Sequence, residues 1–268
     1  MLFLYFVVPI IIILLYFKLF SNINNLYSFM VFHPIKENFY DTSYSQTNMP
    51  NIIQSKNGKN ICYFEYKPSN NKFEKIIIWS HGNAYNSYHS SDFYQCLADN
   101  LNVLVVGYDY QGYGLSEGHY SEKNCCDDIE CMVAHIMTNY NVDSSKICLI
   151  GHSLGTGVVM DYVFKNDWNN TIMLISPYKS IIRVMFPRIG KYLSFMDMFN
   201  TIKKLDKIKC PIKILHGKDD ELININHSYD IYDELNDKTH EPVWINSCDH
   251  DNILMKIDID TYAKTFCL

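Results

Sequence analysis

The chain has 268 residues, 48% of them hydrophobic and 15% aromatic, which suits one large α/β domain with a sizeable core or two small ones. A formal charge of −6 without a clustered Lys or Arg run argues against a nucleic-acid partner. Nine cysteines include no Cys-x-x-Cys and no zinc-ligand spacing, so they read as reduced thiols and no metal is expected.

The first element is the unbroken apolar run "LFLYFVVPIIIILLYF", residues 2–17, extended by Leu19 and Phe20 around Lys18. As a helix rising ~1.5 Å per residue it reaches ~28 Å, enough for a bilayer core. It lacks a basic n-region and a small-residue cleavage site, so residues 1–20 read as a retained single-pass anchor rather than a cleaved signal. Residues 21–49 then form a connecting segment, and residues 50–268 the main folded domain. The thiol-rich body places that domain on the cytosolic side, although Asn169-Asn-Thr and Asn226-His-Ser leave a luminal side open.

From residue 50 the pattern becomes periodic. "NIIQSKNGKNICYFEYK" predicts two strands joined at Asn57-Gly58, a hairpin signal. Short β-branched runs follow at 75–80, 102–110, 146–151, 171–176, 212–217 and 242–247. Helix-compatible stretches fall between most of them, at 88–100, 121–140, 154–166, 226–236 and 252–266. A hairpin followed by alternating strands and helices predicts a mostly parallel, doubly covered sheet. Residues 177–211 interrupt the rhythm with prolines at 177 and 187, and predict a small, partly helical lid over the sheet's carboxyl edge. Its Met and Phe residues read as core rather than as a lipid-binding lip.

The run "LIGHSLGTGVV" places Ser153 between a buried strand and a helix, bracketed by Gly151 and Gly155. A nucleophile on so sharp a turn needs small neighbours on both sides; a structural serine does not. Ser153 is therefore the candidate nucleophile. A serine hydroxyl needs a base, and the base an acid, here in the order Ser, Asp or Glu, His at successive strand ends. Of ten histidines, His250 in "SCDHDN" follows the last strand and fits the base. In "HGKDDE", Asp220 occupies the expected place for the acid, with Asp219 the alternative. The oxyanion donors are the Leu154 amide and the Asn83 amide in "SHGNA", with Ala84 the alternative to Asn83; one good donor is worth ~3–4 kcal/mol. His81 reads as a structural hydrogen-bonder.

Taken together and in order, "WSHGNA", "YDYQGYGLSEG" running to "SEKN", "GHSLGTG", "SPYKSIIRVMFP" and "HGKDDELI" resemble the depalmitoylase branch of the alpha/beta-hydrolase domain-containing serine hydrolases. The resemblance covers roughly residues 50–266. It implies the α/β-hydrolase fold, a serine hydrolase needing no metal or cofactor, and S-acylated proteins at membranes as substrates. Ser153, Asp220 and His250 match the nucleophile, acid and base. One feature departs: those relatives reach the membrane through a lipidated cysteine-rich N-terminus, whereas the first cysteine here is Cys62. The apolar run stands in its place, which keeps the membrane partner and weakens the thioesterase assignment. The expected function is thus cleavage of an ester or thioester of a lipid or lipidated protein. A small-ester or monoacylglycerol esterase and a non-catalytic binding protein are the alternatives.

Overall fold

The computed structural model describes residues 28–36, 49–193 and 197–268. The apolar run read as an anchor lies outside them. Among the described residues no helix is long and apolar enough to cross a membrane. The chain divides into two units, Met1–His33 and Pro34–Leu268. Of the first, residues 28–31 form a helical turn in which the Phe32 amide donates to Ser28 O at 2.9 Å.

The described residues of the second unit form eight strands: β1 (Asn51–Gln54), β2 (Asn60–Tyr66), β3 (Ile76–Ser80), β4 (Leu104–Tyr108), β5 (Ile147–His152), β6 (Ile172–Ile175), β7 (Ile212–Gly217) and β8 (Val243–Ile245). Their order across the sheet is β1-β2-β4-β3-β5-β6-β7-β8. β2 runs antiparallel to both β1 and β4, and every other pair is parallel. The hairpin turns where Asn57-Gly58 predicts it, with Gly58 at φ +75°. β3, β4, β5 and β6 are buried at every position, which is why their sequences are apolar without alternation.

Among the described residues seven helices cover the sheet or border it: α1 (Ser91–Leu101), α2 (Glu122–Tyr140), α3 (Leu154–Lys165), α4 (Ile181–Met185), α5 (Asn226–Asp233), α6 (Ile253–Lys256) and α7 (Ile259–Phe266). The abundant asparagines end two of them. Asn102 and Asn141 close α1 and α2 in the left-handed conformation, their amides returning to Ala98 O and Met137 O. The predicted single helix over 252–266 is two. Ile257 is extended, and the Asp258 side chain caps α7 by accepting the Asp260 amide.

Among the described residues of the 177–211 excursion are α4 and three single 3₁₀ turns. Its apolar residues divide. Phe199 is fully buried, Met185 and Met198 are half-buried, and Phe186 is exposed, so the core reading fails for Phe186. Phe195 and Met196 lie outside the described residues. Pro34–Lys36 join this unit, with Ile35 O accepting the Gly114 amide at 2.8 Å.

Candidate active site

The parallel strands β3, β5, β6, β7 and β8 end on one edge, and the predicted site residues gather there. β5 ends at His152 and α3 begins at Leu154, leaving one residue to turn the chain. That residue, Ser153, has φ 51° and ψ −117°, a conformation L-residues avoid. The flanking glycines are compulsory. A Cβ at Gly155 would lie 2.0 Å from Ser80 O, and one at Gly151 would lie 2.6 Å from Gly155 O.

His250 sits in the turn after β8, where Asp249 Oδ1 accepts the amides of Asp251 and Asn252 at 3.1 and 2.9 Å. His250 Nδ1 is 2.7 Å from Asp220 Oδ2, and Nε2 is 3.0 Å from Ser153 Oγ. A carboxylate facing Nδ1 places the ring proton there. Nε2 is then left with a lone pair for the serine hydroxyl. Asp219 is exposed, and its amide is tied to Cys248 O at 2.9 Å, so Asp220 is the acid that reaches the histidine.

Asp220 is buried after β7 and held from several directions. Oδ1 accepts the amides of Leu222 and Ile223 at 3.0 and 2.7 Å. Oδ2 lies 3.2 Å from His216 Nε2, on top of its bond to His250. Burial alone would raise its pKa. The bonds from His216, His250 and the Ile223 amide outweigh burial and hold the carboxyl well below the usual carboxylate range.

Two histidines that chain order sets aside as bases belong to the site. His216 Nε2 also faces Ile223 O at 2.8 Å, and two acceptors fix the proton on that nitrogen. Nδ1 meets Ser228 Oγ at 2.6 Å. Its spacing four residues before Asp220, in "HGKDD", was the available signal. His152 stacks on His250, with centroids 5.6 Å apart and planes 25° apart, and Tyr85 meets His152 edge-on at 5.7 Å between centroids. Burial, with His250 nearby, lowers its pKa to about 3, so the stacked ring is neutral.

The "SHGNA" loop lies against the elbow: a Cβ at Gly82 would be 3.2 Å from His152 Nδ1 and 3.4 Å from Ser153 Cβ. Tyr113 Oη donates to Asn83 Oδ1 at 2.6 Å and so anchors that residue by its side chain. Ala84 is exposed. Leu154 opens α3, so its amide is one of the first-turn donors that helix geometry leaves without an intrahelical acceptor. His81 is buried, donates Nδ1–H to Gly82 O at 2.7 Å, and packs on Tyr110 at 4.3 Å between centroids. Burial brings its pKa down to about 4. Among the described residues no group of His, Cys, Asp and Glu is placed to hold a metal ion.

The chain is 42% identical over 249 residues to a protein of Acanthamoeba polyphaga mimivirus named as an alpha/beta hydrolase, spanning 91% of this chain and 93% of that one. This chain belongs to the alpha/beta-hydrolase family. Residues 71–196 of this hydrolase match the family model described as serine aminopeptidase, S33. Alpha/beta hydrolase domain-containing protein 17B of Homo sapiens is 33% identical over 199 residues, 74% of this chain and 67% of its own length. The 17C protein of Xenopus tropicalis is 35% identical over 188 residues, and the match takes in 58% of that protein. The branch read from the motifs is thus the one its relatives occupy. A solved esterase of Pyrococcus furiosus shares the fold, with a TM-score of 0.65 at 17% identity over 88% of this chain and 95% of that one.

Proposed function

We propose that this hydrolase cleaves carboxylic esters or thioesters by acyl transfer through Ser153. The observation that carries the reading is the continuous chain from Ser153 Oγ to His250 to Asp220, at 3.0 and 2.7 Å. In the proposed mechanism Ser153 Oγ attacks the acyl carbonyl while its proton passes to His250 Nε2. Anionic Asp220 keeps the other ring proton on Nδ1 and stabilises the imidazolium. The Leu154 and Asn83 amides receive the developing oxyanion. Proton return from His250 releases an alcohol or thiol. Water, deprotonated by the same ring, then frees the acid and restores Ser153.

The substrate in this proposal is a lipid ester or a lipidated, palmitoylated protein, met at the membrane by a chain anchored through residues 1–20 with its catalytic domain in the cytosol. The apolar N-terminal run and the depalmitoylase-like motifs support it.

A fluorophosphonate probe should label the protein, and Ser153→Ala should abolish the labelling; labelling that survives in the variant removes Ser153 from the mechanism. Rates on p-nitrophenyl esters of increasing chain length, run beside an S-palmitoyl peptide, test the substrate. Faster turnover of the long-chain thioester supports the lipidated-protein reading, and a preference for short esters rejects it.

A further inference from the structure

Between α4 and the loop after β7 lies a cavity of about 800 Å³. Four cations line it (Lys179, Arg183, Arg188 and Lys191) against two carboxylates, Glu221 and Asp230. Lys179 is paired with Asp230 and the Asp197 carboxylate acts on Arg183, which leaves Arg188 and Lys191 facing Glu221. On a chain of net charge −6 this is a local reversal of sign. The sequence hides it, because the cations are spread over residues 179–191 with apolar residues between them. The fold gathers them around one cavity.

Four apolar residues in and beside this run are bare, although Ile182 between the cations is buried. Phe186 is 39% exposed, Ile189 53% and Tyr192 71%, and across the cavity Leu222 is 63% exposed. Lys191 Nζ lies over the Tyr192 ring, 4.9 Å from its centroid. Cations interleaved with exposed aromatic and aliphatic side chains match the two layers of a bilayer surface, phosphate outside and acyl chain beneath.

We propose that this face docks on an anionic phospholipid leaflet, with Arg183, Arg188 and Lys191 on headgroup phosphates and Phe186, Ile189, Tyr192 and Leu222 at the acyl boundary. The local excess of positive charge selects an anionic surface over a zwitterionic one. The face borders the candidate active site, because Leu222 is the residue whose amide donates to Asp220 Oδ1. The folded domain thereby has a membrane contact of its own, apart from residues 1–20. The inference concerns this surface and stands whether or not Ser153 is the nucleophile.

The test uses the full chain carrying Tyr192→Trp, reconstituted in vesicles with brominated acyl chains, with the unsubstituted chain as background. One vesicle set is phosphatidylcholine alone; the other contains about 30% phosphatidylserine to supply the anionic surface. Emission from the added tryptophan should fall by about half on the anionic set only, and recover in about 0.5 M salt, where screening is short-ranged. Arg183→Gln, Arg188→Gln and Lys191→Gln introduced together should restore it at low salt, with the thermal midpoint unchanged. Equal quenching on both vesicle sets, quenching on neither, or quenching that survives the triple substitution would each overturn the proposal. Fluorophosphonate labelling of the same samples reports separately on Ser153.

Discussion

The grouping of Ser153, Asp220 and His250 was legible from order and spacing, because so sharp a strand-to-helix turn demands glycine on both sides and residues at the successive strand ends that follow can reach it. The glycine demand is steep and testable. Gly155→Ala sets a carbon 2.0 Å from the backbone oxygen of Ser80, a contact that only movement of β3 or α3 can relieve. It should cost more than about 4 kcal/mol and leave little folded protein. Gly58→Ala meets nothing within 4 Å and carries only its left-handed backbone, so a loss of about 1 kcal/mol is expected. Thermal midpoints of the two variants compare these costs directly. His216 was passed over despite its spacing before Asp220, since a rule that searches for one base discards every other histidine. Yet it donates to the same Asp220 oxygen as His250, from a position with no exposure at all. We expect His216→Ala to lower kcat about tenfold with little change in KM, because a buried carboxylate loses one of its donors. His216→Gln, which restores an N–H, should recover much of the rate. A variant that only loses thermal stability, with kcat intact, would make His216 structural.

Elements were legible where burial is two-sided. β3 to β6 announce themselves as apolar runs and the hairpin as Asn57-Gly58, because both signals are local. The excursion after β6 resisted because distant groups set its path: the Phe199 amide donates to Glu122 Oε1 at 2.6 Å, from one element to the start of α2. The same kind of long-range tie secures the antiparallel edge. Asp128, fully buried on α2, accepts from Ser55 Oγ, from the Gln111 amide and from Gln111 Nε2, each at 2.8 Å. Gln111 Oε1 in turn accepts from Asn57 in the hairpin turn. One carboxylate thus joins α2, the hairpin and the loop after β4. Asp128→Ala strands the Ser55 hydroxyl and the Gln111 amide in the interior, while Gln111 Nε2 keeps Ser55 Oγ at 3.1 Å, and should cost about 2–4 kcal/mol. For a domain of this size that is a fall of roughly 5–15 °C in thermal midpoint. Fluorophosphonate labelling in the cold should persist, because the network touches none of the residues around Ser153. A midpoint unchanged by the substitution would show that water replaces the carboxylate at no cost.

Over the whole molecule, buried titratable groups set the pH range in which the fold holds. Burial lowers His81 to about 4, His152 to about 3 and His227 to about 4. Each is neutral in the folded state, whereas in the unfolded chain each takes a proton near pH 6.5. Their contribution is therefore complete above pH 6.5 and is lost as pH falls toward 4. Asp128 works in the opposite sense. Burial raises it to about 6, so the folded state binds its proton before the unfolded chain does, and acid favours folding through that group. Glu122 and Asp197, also raised by burial, pull the same way. The three histidines set against Asp128 give a slope of about 2.7 kcal/mol per pH unit near pH 5. His240, also lowered by burial, adds to that slope, and Glu122 and Asp197 subtract from it. The denaturation midpoint should accordingly fall between pH 6.5 and 4.5. A midpoint that is flat or rises over that interval would contradict the neutral, buried histidines. His227→Asn isolates one of them: Asn keeps an acceptor for the Lys179 amide, which His227 Nδ1 meets at 3.1 Å, but cannot titrate. That variant should show a slope shallower by about one proton, roughly 1.4 kcal/mol per pH unit, with its stability at pH 7.5 little changed.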